Sequence, residues 1–247
     1  MLNEIVIENL TVSYGDKTAL HHVSTRFKKG NLYALIGHNG AGKTTLIKEI
    51  LKGNRKKQDH IQYLSAENEA IVEKNLKYRM SFSPEKPVLF EELTAFEYVA
   101  FVLKMYRSYD GESMQRAERL FKLFNLEKEK NKFIFALSNG MKKKVCHIAA
   151  LSLNSDFIFL DEPFAALDPV SIYELKSYLV KHFHDATFVL STHQLDIIDN
   201  LSIDSHYLHI RMLNKGHLVF NGTKQELMAS HSYQTIEEAY LHYHALS

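Results

Sequence analysis

Three short stretches of the chain carry apolar residues at nearly every position: Leu32-Tyr33-Ala34-Leu35-Ile36, Phe157-Ile158-Phe159-Leu160, and Ala186 to Leu190. Runs this short and this continuous fit strands buried on both faces, as in a parallel sheet covered by helices. The opening is different. Glu4-Ile5-Val6-Ile7-Glu8 alternates, Tyr14-Gly15-Asp16-Lys17 reads as a turn, and Val23 to Phe27 alternates again, which predicts antiparallel strands. Helical spacing begins at Thr44 to Leu51 and stops at Gly53-Asn54. From about Asn54 to Met80 the pattern is polar; short strands are expected there, with Arg55, Lys56 and Lys57 in a solvated loop.

A helical block follows. Thr94 and Glu97 form a capping box ahead of Phe96, Val99, Ala100 and Leu103; Gly111 then separates a second helix with Met114, Leu120, Phe121 and Phe124, and a third should start at Ser138. Asp168-Pro169 supplies an N-cap and first helical residue for a helix through Leu179, and a short helix is expected from His193 to about Leu201. Tyr207 to Leu213 and His217 to Phe220 read as a hairpin around Asn214-Lys215-Gly216, and capping boxes at Thr223/Glu226 and Thr235/Glu238 predict short tail helices. The expected organisation is an α/β core over residues 1–84 and 156–222, a helical insertion over 85–155, and a helical tail over 223–247.

Composition narrows the class. The chain has 247 residues, 45% of them hydrophobic, with 30 Lys plus Arg against 29 Asp plus Glu, so disorder is excluded and no global field favours a polyanion. No apolar run approaches the roughly 20 residues of a membrane-spanning helix. The N-terminal segment lacks the basic and apolar regions of a signal peptide, and a single cysteine, Cys146, suits a reducing interior.

Gly37-His38-Asn39-Gly40-Ala41-Gly42-Lys43-Thr44 matches G-x-x-x-x-G-K-[ST] between an expected buried strand and an expected helix. The glycines let successive N–H groups curl toward phosphate oxygens, and the helix dipole points at the same anion. Lys43 would reach the β- and γ-phosphates and the Thr44 hydroxyl would ligate Mg²⁺. Leu160-Asp161-Glu162 puts two carboxylates at the carboxyl edge of the sheet, Asp161 suited to hold Mg²⁺ and Glu162 to act as general base. By itself the glycine-rich turn implies a nucleoside triphosphate and no more; kinases, GTPases and motor ATPases share it.

Leu137-Ser138-Asn139-Gly140-Met141 resembles the Leu-Ser-Gly-Gly-Gln signature of ATP-binding cassette (ABC) ATPases, in the family's order between the two nucleotide motifs. The resemblance implies a P-loop, RecA-like mixed-sheet core with an antiparallel β subdomain and an inserted α-helical subdomain. It implies ATP and Mg²⁺ as ligands, with Tyr14 stacked on adenine and Thr45 beside the phosphates. Ala166-Leu167-Asp168 resembles the D-loop, and His193 resembles the switch histidine that donates to the γ-phosphate. Two ATP molecules would lie between two head-to-tail subunits, each held by Lys43 and Thr44 of one and by Ser138 and Gly140 of the other. Glu85 stands where the family places a Mg²⁺-contacting glutamine. Asn139 and Met141 also depart from the usual signature; asparagine tolerates left-handed conformations, which is expected to let it replace glycine.

The implied role is the detached ATP-binding subunit of a membrane transporter, at the cytoplasmic face and peripheral through a separate permease subunit. Residues from Lys86 to Tyr109, with Phe90, Phe96, Tyr98 and Phe101, would receive that subunit, most of these aromatics being core. Pro84 to Thr94 and Ser138 to Lys142 are similar to ABC-2 type exporter subunits of Gram-positive bacteria, including the EcsA-like group. The alternative is a soluble ABC ATPase with a regulatory or nucleic-acid-linked role, but no coiled coil or second cassette is present and no nucleic-acid partner is expected. The Lys142-Lys143-Lys144 run reads as a solvated helix face, and the 14 histidines as surface residues whose i, i+2 pairs diverge on a helix.

Overall fold

The computed structural model describes residues 1–53, 60–71 and 73–245, so Arg55, Lys56 and Lys57 lie outside the described residues. Strands β1 (Glu4–Tyr14) and β2 (Lys17–Lys28) pair antiparallel, followed by β3 (Leu32–Ile36) and helix α1 (Lys43–Lys52). Next come β4 (Ile61–Leu64), a 3₁₀ helix at Glu73–Tyr78, and β5 (Met80–Ser83). Helices α2 (Ala95–Met105), α3 (Gly111–Leu123) and α4 (Asn139–Ser152) form the helical block. The chain then runs through β6 (Phe157–Asp161), α5 (Pro169–His182), β7 (Thr187–Thr192), α6 (Leu195–Asp199), β8 (Leu208–Asn214), β9 (His217–Thr223), α7 (Lys224–Ser230) and α8 (Ile236–Ala245).

Two sheets result. A three-stranded antiparallel sheet has the order β2-β1-β4, and a six-stranded sheet the order β5-β6-β7-β3-β8-β9, parallel except for β9. Every residue of β3, β6 and β7 is buried, and strand alternation divides them between two cores. Leu32, Ala34 and Ile36 join Ile158, Leu160 and Leu190 under the helices α2 to α5. Tyr33 and Leu35 face the other way, with Phe157, Phe159 and Val189, against α1 and the antiparallel sheet. Two hydrophobic faces on each central strand explain the unbroken apolar runs.

Local signals hold where short-range chemistry decides. Thr94 and Glu97 complete a reciprocal capping box, as do Thr223 and Glu226, and Asp168 accepts from the Ser171 backbone with Pro169 behind it. The β8–β9 turn places Lys215 and Gly216 at φ 45° and 82°, the two left-handed residues that a right-twisted hairpin needs. The Thr235 box is half formed: Thr235 Oγ1 accepts from the Glu238 N–H, while the Glu238 carboxylate reaches the N–H of Gln234 instead.

Other readings change. Residues 73–78 form a 3₁₀ helix where strands were expected, and Asn139 is the first helical residue of α4, outside the left-handed region. Asparagine fits at 139 because a helix start accepts any side chain there. The aromatics of the 86–109 segment divide: beside the buried Ala95, Val99 and Leu103 of α2, Phe96 and Tyr98 are half-buried and packed against the core, whereas Phe90 and Phe101 are exposed. His147 is fully buried, and Lys143 and Lys144 are buried as well, so the lysine run is no solvated face. Lys142 is half-buried and paired with Glu91 at 2.7 Å.

Candidate nucleotide site

The turn after β3 curls because its glycines reach conformations and contacts that a Cβ forbids. Gly42 sits at φ 109° as the N-cap of α1, and a Cβ on Gly37 would lie 2.5 Å from the Leu213 carbonyl. The first bond of α1 runs from Leu46 N–H to Gly42 O at 2.9 Å, so the N–H groups of Lys43, Thr44 and Thr45 have no partner within the helix. With no acidic residue in that first turn, they present a positive end to solvent.

This turn forms one wall of an 820 Å³ cleft, a size that suits a ligand as large as a nucleotide. Tyr14, His38, Asn39, Gly40, Gly42, Lys43, Thr44, Thr45, Glu85 and Glu162 all line it. Tyr14 is exposed at the end of β1. Ala41 is buried beneath the turn, and Gly37 lines a separate small cavity with His193 and Tyr240. Lys17, Lys86 and Lys215 add positive charge to the cleft rim, a contribution that no local motif marks in the sequence.

Three functional groups converge at the ends of β3, β6 and β7. Lys43 Nζ donates to Gly37 O at 2.6 Å and lies 3.4 Å from Glu162 Oε1; Glu162 Oε2 is 3.0 Å from His193 Nδ1. Glu162 occupies φ 44°, a strained conformation fixed by its N–H donating to Ser191 O and Ser191 Oγ, each at 3.0 Å. Its buried Oε1 accepts no hydrogen bond, leaving an acceptor aimed toward Lys43. Asp161 Oδ2 accepts from Thr44 Oγ1 at 2.8 Å, and its Oδ1 accepts from Ser191 Oγ. Ser191 thus orients both acidic residues, a role visible only once β6 and β7 pair. The Thr44 hydroxyl and the Glu85 side chain line the cleft, while Asp161 is buried behind Thr44 and reaches the cleft only through that hydroxyl; the three are hard oxygen donors of the kind that suits Mg²⁺.

Ser138 and Gly140 do not line the cleft. Ser138 caps α4 by accepting from Met141 N–H, and both flank the exposed start of that helix. Gly140 is required there because a Cβ would meet the Ala166 carbonyl at 2.8 Å, and Ala166 itself sits at φ 62°. Asp168 pairs with Lys144 at 2.7 Å; Lys144 and Ser171 together hold its carboxyl well below the usual range.

A second group escapes sequence reading. Lys143 Nζ donates to Pro84 O, Glu85 O and Asp161 O at 2.8, 2.9 and 3.0 Å, and burial pushes its ammonium down to about 8. One turn later, His147 Nε2 donates to Pro163 O and Nδ1 accepts from Ser83 Oγ, each at 2.9 Å, a tautomer set by the carbonyl's inability to donate. Burial drives His147 down to about 3. The lone lysine signal was a basic run, and the buried partners are backbone atoms that no motif records.

Residues 20–165 match the family model described as ABC transporter. The chain is 31% identical over 223 residues to the bacitracin transport ATP-binding protein BcrA of Enterococcus faecalis, covering 89% of this chain and 70% of that one. It is 30% identical over 230 residues to the spermidine/putrescine import ATP-binding protein PotA of Thermotoga maritima, covering 92% and 60% respectively. A solved ATP-binding subunit of an ABC transporter superposes with a TM-score of 0.84 at 27% identity, over 98% of this chain and 99% of that one. The two named relatives include one named for import, so similarity spans more than one kind of transport. The Walker-type cleft, the helical insertion and these relatives agree: the chain belongs to the ABC transporter family, as an ATP-binding, ATP-hydrolysing subunit.

Proposed function

We propose that this chain powers an exporter by closing, with a second ATP-binding subunit, around two ATP molecules and hydrolysing them. The observation that carries the reading is the convergence of Lys43, Glu162 and His193 at one end of the parallel sheet, within 3.4 Å and 3.0 Å of the same carboxylate. ATP would lie with its base on Tyr14 and its phosphates in the turn from Gly37 to Thr45. The turn's N–H groups and Lys43 would carry the phosphate charge. Glu162 takes a proton from the attacking water as its oxygen bonds to the γ-phosphorus, and the bond to the ADP oxygen breaks. His193, exposed on its outer side, would donate to the γ-phosphate and report its loss. Thr44, Asp161 and Glu85 would hold Mg²⁺, which supplies neutralising charge to the phosphates when bound.

Ser138 and Gly140 do not line the chain's own cleft, so their hydroxyl, N–H groups and helix dipole would serve the ATP of a partner subunit. No helix among the described residues is long and apolar enough to cross a membrane. A separate permease subunit would therefore supply the path, placing this chain at the cytoplasmic face. The exposed Val88, Phe90, Phe101, Phe133 and Phe135 of the helical block form the docking surface. Likeness of Pro84 to Thr94 to ABC-2 type exporters supports the direction. The basic run offers no support for a nucleic-acid role, because Lys143 and Lys144 are committed inside the fold.

Glu162→Gln tests the site. It should bind ATP within about threefold of the parent, lose hydrolysis about 100-fold or more, and accumulate as an ATP-bound dimer by light scattering. Hydrolysis at the parental rate would remove Glu162 as the base.

A further inference from the structure

Lys143 is 98% buried, as its 2% exposure shows, and its three N–H groups are all spent on backbone carbonyls. Two of those carbonyls, Pro84 and Glu85, belong to the segment leaving β5; the third, Asp161, ends β6. A methionine of similar length would fill this space without the cost of burying a charge. What only a multiple donor does is join the two segments. His147 repeats the pattern one turn along the same face of α4, linking Ser83 to Pro163.

These two side chains make a polar seam with α4 on one side and both acidic walls of the cleft on the other. The same helix begins at Ser138, which is exposed and does not line this cleft. We propose that Lys143, supported by His147, is a positioning residue for hydrolysis: it holds the Glu85 segment and the Asp161–Glu162 strand end at a fixed separation and ties both to the Ser138 end of α4. A shift of either segment is thereby transmitted to the surface offered to the second subunit's ATP. This inference rests on the site roles proposed above.

The test compares Lys143→Met, which keeps length and loses all donors, with Lys143→Gln, which keeps two N–H donors without charge. Lys143→Met should lower kcat about 10- to 100-fold while the Kd for ATP, from fluorescent-nucleotide titration, stays within about threefold. Lys143→Gln should have kcat at least about threefold above Lys143→Met, because the donors persist. Parental kcat in a folded Lys143→Met, an equal loss of kcat and affinity, or no advantage for Lys143→Gln would each overturn the proposal. If Lys143→Met does not fold, hydrogen exchange on the parental chain decides. Peptides covering 81–86, 139–148 and 159–165 should gain protection together when ATP and Mg²⁺ are added; independent exchange of the first and last overturns it. Glu162→Gln separates the two failures: hydrolysis by that variant refutes the site roles, whereas inactive Glu162→Gln beside fully active Lys143→Met refutes only the seam.

Discussion

Lys43 carries two charge relationships at once. Its ammonium is bonded to the Gly37 and His38 carbonyls of its own turn and faces the buried, unbonded oxygen of Glu162. Removing it takes away a phosphate ligand and leaves that carboxylate without its nearest cation. Lys43→Ala should therefore weaken ATP binding about 10- to 100-fold in a nucleotide titration, the range expected for a charge-assisted contact. An unchanged Kd would show that the turn does not hold phosphate. At this scale the placement of the glycine-rich turn, Asp161 and Glu162 at strand ends is readable from sequence, because each follows a strand whose apolar run announces its end; His193 is singled out by the family resemblance alone. Ser191, Lys143 and His147 are not. Ser191 acts only after β6 and β7 pair, and lysine is so seldom buried that Lys142-Lys143-Lys144 reads as surface until the Pro84, Glu85 and Asp161 carbonyls arrive from elsewhere in the chain.

Elements follow the same rule. Capping boxes and the Lys215-Gly216 turn act within a few residues, so α2, α7 and the β8–β9 hairpin are legible. The apolar face of α2 is legible at Val99 and Leu103, which are buried, whereas the exposure of Phe90 and Phe101 is not, because large aromatic side chains at helical spacing read as core. Helix α4 bears a pH consequence. The folded chain keeps His147 neutral down to about pH 3, whereas an unfolded histidine protonates near its ordinary value of 6.5. Below 6.5 the unfolded chain therefore binds more protons, and the stability His147 contributes is complete above 6.5 and declines as pH falls toward 3. Thermal midpoints measured from pH 7 to 5 should fall more steeply for the parent than for His147→Gln, which keeps a donor and an acceptor but does not titrate. Parallel slopes would show that His147 does not set this acid sensitivity.

For the whole molecule, the near-neutral charge and the absence of a spanning helix among the described residues take their meaning from the exposed apolar surface. Phe90 and Phe101, 54% and 38% exposed, pack edge to face at 5.4 Å, and Phe133 stacks on Phe135 at 5.6 Å. The backbone joins the two pairs: Phe135 N–H donates to Glu91 O and Ile134 N–H to Leu93 O. Four aromatic rings joined by these contacts, none of them lining the nucleotide cleft, are costly to leave in water and would serve the docking proposed above. Charge placed there should break docking without touching chemistry. The double variant Phe90→Asp/Phe101→Asp should lose about tenfold or more in co-purification with the membrane subunit proposed above, while the isolated chain hydrolyses ATP within about twofold of the parental rate. Retained assembly would move the docking surface elsewhere, and lost hydrolysis in the isolated chain would show that these rings support the fold of the helical block instead.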